Sequence, residues 1–155
     1  MMFNLFCSLF LAAFLGVPQQ PDTPPSLFVG EWVGTQSWAI ENPPPGILAD
    51  QPVSLTIEMV DGQLVGELSM FGGGDKATFT GGTIVGDELA ATAVPGEESR
   101  ERWKSGVEFL LKLKLDDVRL AGTADVSMGG VDWLKYNYNL SKRRTPRSLV
   151  ISDGQ

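Results

Sequence analysis

Outside two proline-rich stretches and the tail, apolar and polar side chains alternate with a period of two, the period of a strand with one buried face. In "VSLTIEM" Val53, Leu55, Ile57 and Met59 share one face, and Ser54, Thr56 and Glu58 share the other. Asp61-Gly62 follows as a two-residue hairpin signal, and Leu64, Gly66, Leu68 and Met70 carry the apolar face back. Folding about that turn sets Met59 opposite Leu64, Ile57 opposite Gly66, Leu55 opposite Leu68 and Val53 opposite Met70. A slip of one residue would set apolar against polar along the whole pair, so the pattern selects its own register. The same holds further on. Val107, Phe109, Leu111, Leu113 and Leu115 run to a turn at Asp116 to Arg119, and return as Leu120, Gly122, Ala124, Val126 and Met128.

Weaker strands over 76–85 and 88–94 meet at Gly86-Asp87, and a last strand over 132–142 follows Gly129-Gly130. A first strand over 27–40 brings the count to eight. Short echoes, "LVG" at 64–66, "IVG" at 84–86 and "LAG" at 120–122, place glycines inside strands, where they mark bends or close backbone approach. Eight meandering strands with one apolar face predict a closed, antiparallel up-and-down barrel, because closure removes the edges. An open two-sheet sandwich is the alternative.

The last strand admits two registers. A turn of Gly129-Gly130 alone would set Trp133 opposite Val126 and line the lumen with Lys135, Asn137 and Asn139. Adding Val131 to the turn sets Leu134 opposite Val126 and Tyr136 opposite Ala124, and sends Tyr138 and Leu140 inward. The second is expected, since the first buries a lysine and two amides without partners.

The chain of 155 residues suffices for one domain with a core. Phe3 to Val17 is almost wholly apolar and precedes the first charge at Asp22. It reads as a signal-peptide segment, residues 1–17, with cleavage after Ala13 or Gly16, rather than a membrane anchor or a strand. Export to the periplasm or the outside follows as an expectation. Residues 18–26, "PQQPDTPPS", read as a stiff linker and 27–144 as the barrel domain. "ENPPPGILADQP" at 41–52 reads as a long loop, and 145–155 as a disordered tail.

Composition narrows the chemistry. Histidine is absent and Cys7, the single cysteine, lies in the apolar N-terminal segment. His-based triads, His-ligated zinc and, after cleavage, thiolate catalysis are thereby excluded. A net charge of −7 disfavours nucleic acid. Most carboxylates, such as Glu58, Glu67, Asp116, Asp117 and Asp125, fall on outer strand faces or in turns and read as solvated. "GGGDK" at 72–76 follows a strand instead of opening a helix, so it is not a phosphate loop. Charges on the face opposite the Leu, Ile and Met residues also argue against a transmembrane barrel, which is apolar outside.

Gly30-Glu31-Trp32, at the start of the first strand, resembles the glycine-any-tryptophan opening of lipocalins and other calycins. The order Gly30-Glu31-Trp32-Val33-Gly34, Asp61-Gly62-Gln63-Leu64-Val65-Gly66, Gly82-Thr83-Ile84-Val85-Gly86-Asp87-Glu88-Leu89, then Tyr138 to Arg143 and Arg144, is similar to small exported bacterial domains of uncharacterised function. The resemblance implies a barrel whose end is closed by Trp32, covered by a cation from Lys142, Arg143 or Arg144, with Arg143 and Arg144 as the chosen residues. The helix and cysteines usual in lipocalins are missing.

The lumen supplies the remaining hint. Met59, Met70 and Met128 fall on the inward face, opposite small residues such as Gly66 and Gly122. Flexible thioethers beside small residues suit an adaptable apolar pocket, although Met also fills gaps in ordinary cores. Tyr136 and Tyr138 add hydroxyls able to anchor a ligand. The expectation is an exported, monomeric, non-catalytic binding domain, without a cofactor, for a small apolar molecule. The alternative is a cell-envelope module with a filled core that meets another envelope protein.

Overall fold

A computed structural model describes residues 21–39, 50–99 and 101–144. The apolar segment 1–17, most of the loop at 41–52 and the tail at 145–155 lie outside the described residues. The chain forms α1 (Pro25–Phe28) and eight strands: β1 (Gly30–Trp38), β2 (Gln51–Val60), β3 (Gln63–Met70), β4 (Asp75–Val85), β5 (Glu88–Pro95), β6 (Val107–Asp116), β7 (Arg119–Met128) and β8 (Val131–Lys142). Each strand pairs antiparallel with the next, and β1 pairs with β8, so the sheet closes into a barrel in meander order. The sheet is a closed barrel and not an open sandwich.

The hairpin registers read from the apolar pattern are the observed ones. Met59 faces Leu64 and Leu55 faces Leu68; Leu115 faces Leu120 and Val107 faces Met128. The last strand takes the tyrosine-inward register, with Leu134 opposite Val126, Tyr136 opposite Ala124 and Tyr138 opposite Gly122. It reaches that register differently from expectation. Gly129-Gly130 is the whole turn, Met128 pairs with Val131, and the shift occurs at an irregularity between Val126 and Ser127. Trp133 is the extra residue of that bulge and stands 59% exposed. A bulge adds one residue to one strand, which flips the face of everything beyond it.

The first strand is shorter than 27–40, because Pro24 and Pro25 favour a helical first turn over strand pairing. That turn caps the lower end of the barrel with Phe28, which is fully buried. The linker's last residues are docked: Gly86 N–H donates to Asp22 Oδ1 at 2.6 Å, and Thr23 N–H donates to the Gly86 carbonyl at 2.6 Å. Gln51 and Pro52 belong to β2 and not to the preceding loop, with Pro52 paired to Thr35 near the strand's start, where a missing N–H interrupts least.

The lower end is closed around Trp32, itself fully buried. Its Nε1–H donates to the Phe28 carbonyl at 2.7 Å. Lys142 lays its Nζ 5.2 Å from the ring centroid and donates from Nζ to the Leu27 carbonyl at 3.0 Å. The cation over the indole is therefore Lys142 and neither Arg143 nor Arg144. Inward-facing Lys142 pairs with Trp32 across β1 and β8, whereas Arg143 faces outward and pairs with Glu31 at 2.6 Å. Arg144 is exposed.

The glycines of the opening motif serve the seam. A Cβ at Gly30 would press on the Lys142 side chain, and one at Gly34 would collide with the Asn139 carbonyl and Leu140 backbone. Trp32→Ala is expected to cost about 3–5 kcal/mol of unfolding free energy in urea, the range for a truncated buried aromatic. A loss below about 1 kcal/mol would make Trp32 peripheral.

Candidate functional site

The core is apolar on every strand, with Leu55, Ile57, Leu68, Leu89, Phe109, Leu111, Leu113, Leu120 and Val126 essentially fully buried. The spaces expected beside its glycines are filled. A Cβ at Gly66 would meet the Phe79 ring and the Thr56 carbonyl, and one at Gly122 would collide with the Lys112 carbonyl. These glycines let neighbours approach closely and do not widen a lumen. The methionines do not converge either. Met70 is fully buried, but Met59 and Met128 are 42% and 43% exposed at opposite rims. An adaptable apolar pocket lined by Met59, Met70 and Met128 is thus not assembled, because strand length carries the outer two beyond the core.

Clefts of about 520 Å³ at the lower rim, against Asp22, Pro25, Met59 and Ile84, and about 430 Å³ on the outer face, against Thr56, Glu58 and Phe79, do not touch the tyrosines.

The polar interior groups gather instead in the upper half. The inward positions of β1 continue from Trp32 through Gly34 to Gln36 and Trp38, and they face Lys142, Leu140, Tyr138 and Tyr136 of β8. Gln36 is fully buried; Tyr136 and Tyr138 are 2% and 3% exposed. The Trp38 and Tyr136 rings meet edge to face at 6.3 Å and 85°. From β4 comes Asp75, 4% exposed. Arg102 of the β5–β6 connection brings Nε to 3.0 Å from Asp75 Oδ2 and rests its guanidinium 4.8 Å above the Phe71 ring. Trp103 roofs this end, edge-on to Phe109 at 5.0 Å and stacked on Phe71 at 6.4 Å. Ser99 ties the same connection to β4: its hydroxyl accepts from Lys76 N–H at 2.8 Å and donates to the Lys76 carbonyl at 3.1 Å.

Five buried polar atoms among the described residues have no protein hydrogen-bond partner: Gln36 Oε1, Trp38 Nε1, Asp75 Oδ2, Trp103 Nε1 and the Tyr138 hydroxyl. Of these, Asp75 Oδ2 is answered by charge, with Arg102 Nε at 3.0 Å. Gln36 uses its Nε2, which donates to Gln51 Oε1 at 3.3 Å. Burial pushes the Tyr138 hydroxyl far above the ordinary tyrosine range, and neighbouring Tyr136 adds to this. Burial also raises Tyr136; Arg102 opposes the rise, Asp75 adds to it, and the nearby Trp38 N–H lowers it.

Of the residues singled out from sequence, the structure brings Tyr136 and Tyr138 together and leaves Met59 and Met128 apart. Gln36, Trp38, Asp75, Arg102 and Trp103 were not anticipated. Period-two counting from Trp32 reaches Gln36 and Trp38, and counting back from Ala77 reaches Asp75; that is the signal that marks them inward. Trp103 and Arg102 sit in an irregular connection and carry no such signal.

Among the described residues, no three Asp, Glu, Cys or His side chains gather as a metal-holding group, and no helix is long and apolar enough to cross a membrane. No protein-family model matches the chain, and neither a curated protein nor a solved structure does.

Both tyrosines of the chain titrate late in the folded state. Once pH passes the unfolded value near 10, the unfolded chain sheds protons that the folded one keeps, so stability falls with rising pH. The slope approaches about 1.4 kcal/mol per pH unit per tyrosine. Urea unfolding between pH 8 and 11 should show this fall, and Tyr138→Phe should remove roughly half of its tyrosine part. An unchanged slope in that variant would show that Tyr138 is freely ionisable in the folded protein.

Proposed function

We propose that the domain is a non-catalytic binding module holding a small molecule in the upper half of its barrel. One observation carries the reading: in the upper half of the barrel the buried Gln36 Oε1, Trp103 Nε1 and Tyr138 hydroxyl have neither a protein hydrogen-bond partner nor an ion pair. Each buried, unpaired group costs about 1–3 kcal/mol. Three of them in a dry core would cost about 3–9 kcal/mol, a large part of the roughly 5–15 kcal/mol by which a domain of this kind is stable. Something therefore partners them, and the reading assigns that part to a small molecule rather than to buried water. The ligand is polar at its inner end, in place of the wholly apolar molecule expected from the methionines. Export of the chain and kinship with the calycins belong to the same proposal; the first rests on the apolar segment 1–17, the second on the Gly30-Glu31-Trp32 opening and the barrel shape.

A second reading has its own support. Met128, Val131 and Trp133 are exposed together at the upper β7–β8 hairpin, 43%, 69% and 59%. An envelope protein that meets this tip would make the barrel an interaction module.

Native mass spectrometry of the chain purified from its own host tests the first reading. A discrete small-molecule adduct is expected, and it should be lost from Tyr138→Phe. The same substitution should leave the ligand-stripped protein as stable as before, or stabilise it by up to about 1 kcal/mol, because it deletes an unpaired hydroxyl. A bare mass in every preparation, with Tyr138→Phe destabilised by more than about 2 kcal/mol, would assign the hydroxyl to a structural role and sink the reading.

A further inference from the structure

We infer that the lower end of β4, residues 83–86, is a hinged flap in the barrel wall and that Asp22 is its latch. The inference concerns access to the interior and stands apart from the binding reading above.

The hinge shows in the strand pairing. Against β3, β4 is paired only as far as Gly82, which faces Leu64, so nothing of β3 pairs with residues 83–85. Against β5, pairing passes from Thr78–Val94 to Thr83–Ala90, and residues 79–82 and 91–93 have no partner across that seam. Irregularities elsewhere in the sheet each skip one residue, Gly81 between β3 and β4 and Trp133 between β7 and β8. A lapse of four residues against three is more than the single extra residue of a bulge. It contains Gly81 at φ +80°, where a Cβ would meet nothing within 4 Å. Glycine takes that conformation at no steric cost, and a stretch without cross-strand partners absorbs a bend there most easily. On the outer face a cleft of about 290 Å³ lies at the same place, against Thr80, Gly81, Ala91, Thr92 and Leu110.

Little holds the flap. Three pairs join it to β5: Thr83–Ala90, Ile84–Leu89 and Val85–Glu88. Ile84 is its side chain that packs on the core, and Val85 is already 72% exposed, so lifting the flap uncovers little apolar surface. The two residues of the Gly86-Asp87 turn are tied differently. Asp87 is fixed to β6, its carbonyl accepting from Leu115 N–H at 2.8 Å and its carboxylate lying 3.2 Å from Lys114 Nζ. Gly86 is fixed to the N-terminal segment: its N–H donates to Asp22 Oδ1 and its carbonyl accepts from Thr23 N–H, both at 2.6 Å. That segment is itself anchored to the floor, where the Phe28 and Leu27 carbonyls hold Trp32 and Lys142. Releasing Asp22 therefore loosens the β4 leg of the hairpin and leaves the β5 leg in place. Beside the flap, a cleft of about 520 Å³ already lies between Ile84 and the Met59 and Leu64 side of the rim. Lifting the flap joins this cleft to the apolar interior behind Leu64 and Leu89, an entry that crosses neither the Trp32 floor nor the Trp103 roof.

Amide hydrogen exchange of the full, 15N-labelled chain, read by nuclear magnetic resonance, tests the flap. Lys114 and Asp116 of the unbroken β6–β7 ladder stand as far from their turn as Thr83 and Val85 stand from theirs, and serve as the reference. Protection at Thr83 and Val85 is expected to be at least about tenfold lower than at Lys114 and Asp116. Asp22→Ala should lower it by about a further three- to tenfold and leave the amides of Leu111 and Ala124, in the middle of the β6–β7 ladder, unchanged. Asp22→Asn, which keeps a carbonyl oxygen for the Gly86 N–H, should stay within about twofold of the unaltered chain. Equal protection at the two turns would overturn the flap. Protection at Thr83 and Val85 that Asp22→Ala leaves unchanged would overturn the latch. So would a loss of protection shared equally by Leu111 and Ala124, since Asp22 would then support the whole fold and not one end of β4.

Discussion

The seam between β1 and β8 is the constraint on which the rest of the molecule depends. Seven hairpin-neighbour pairings would give an open, curling sheet; only the eighth, between the first and last strands, makes it a barrel. That pairing requires the two backbones to come together at Gly34, where any side chain would strike the Asn139 carbonyl. Once the seam is set there, the inward ladder is determined in both directions. Downward it places Trp32 beside Lys142, and upward it places Gln36 beside Tyr138 and Trp38 beside Tyr136. The floor and the candidate site are therefore two ends of one ladder.

Much of this was legible in the sequence, for a physical reason. Hairpin register is a local matter: a two-residue turn and a clean apolar alternation leave one acceptable pairing, as in 53–70 and 107–128. The inward choice for Tyr136 and Tyr138 was legible through the cost of burying Lys135 and two asparagines. The means was not, because a bulge at Trp133 and a longer turn shift the register equally. The closing cation was misassigned among three adjacent basic residues. Parity decides it, and parity was known only once β8 was fixed against β1. Least legible was the polar cluster. Gln36 sits in a run, Thr35-Gln36-Ser37, with no apolar contrast to betray its inward face, and Asp75 is hidden in a glycine-rich stretch. Orphaned donors and acceptors are a property of three-dimensional surroundings, so no pattern along the chain encodes them.

The outer surface shows how the same acidic composition is compatible with a stable sheet. Opposite charges are set across neighbouring strands, Lys135 3.0 Å from Asp125 and Lys76 2.8 Å from Glu67, and Lys114 of β6 lies 3.2 Å from Asp87 in the β4–β5 turn. Such exposed pairs are worth little individually. Their use is in register and solubility, since like charges placed directly opposite would oppose the pairing that the apolar face demands.

The two ends of the barrel solve the same chemical problem differently. Both ends bury indoles, each with an N–H that must find an acceptor. At the floor, the helical turn at Pro25–Phe28 brings a carbonyl to Trp32, and Lys142 is held between that ring and the Leu27 carbonyl. Every polar group named there is answered by the chain itself, and nothing is left for a guest. At the roof, Trp103 is buried and Trp38 partly buried, yet neither indole N–H receives such a carbonyl, and Gln36 Oε1 and the Tyr138 hydroxyl have no hydrogen-bond partner. The roof is formed by an irregular connection, held by Ser99 and by one charge pair whose arginine is largely exposed. The fold satisfies an indole N–H from its own backbone at the floor and leaves the Trp103 N–H without such a partner at the roof, so the floor is the end closed by the chain's own hydrogen bonds.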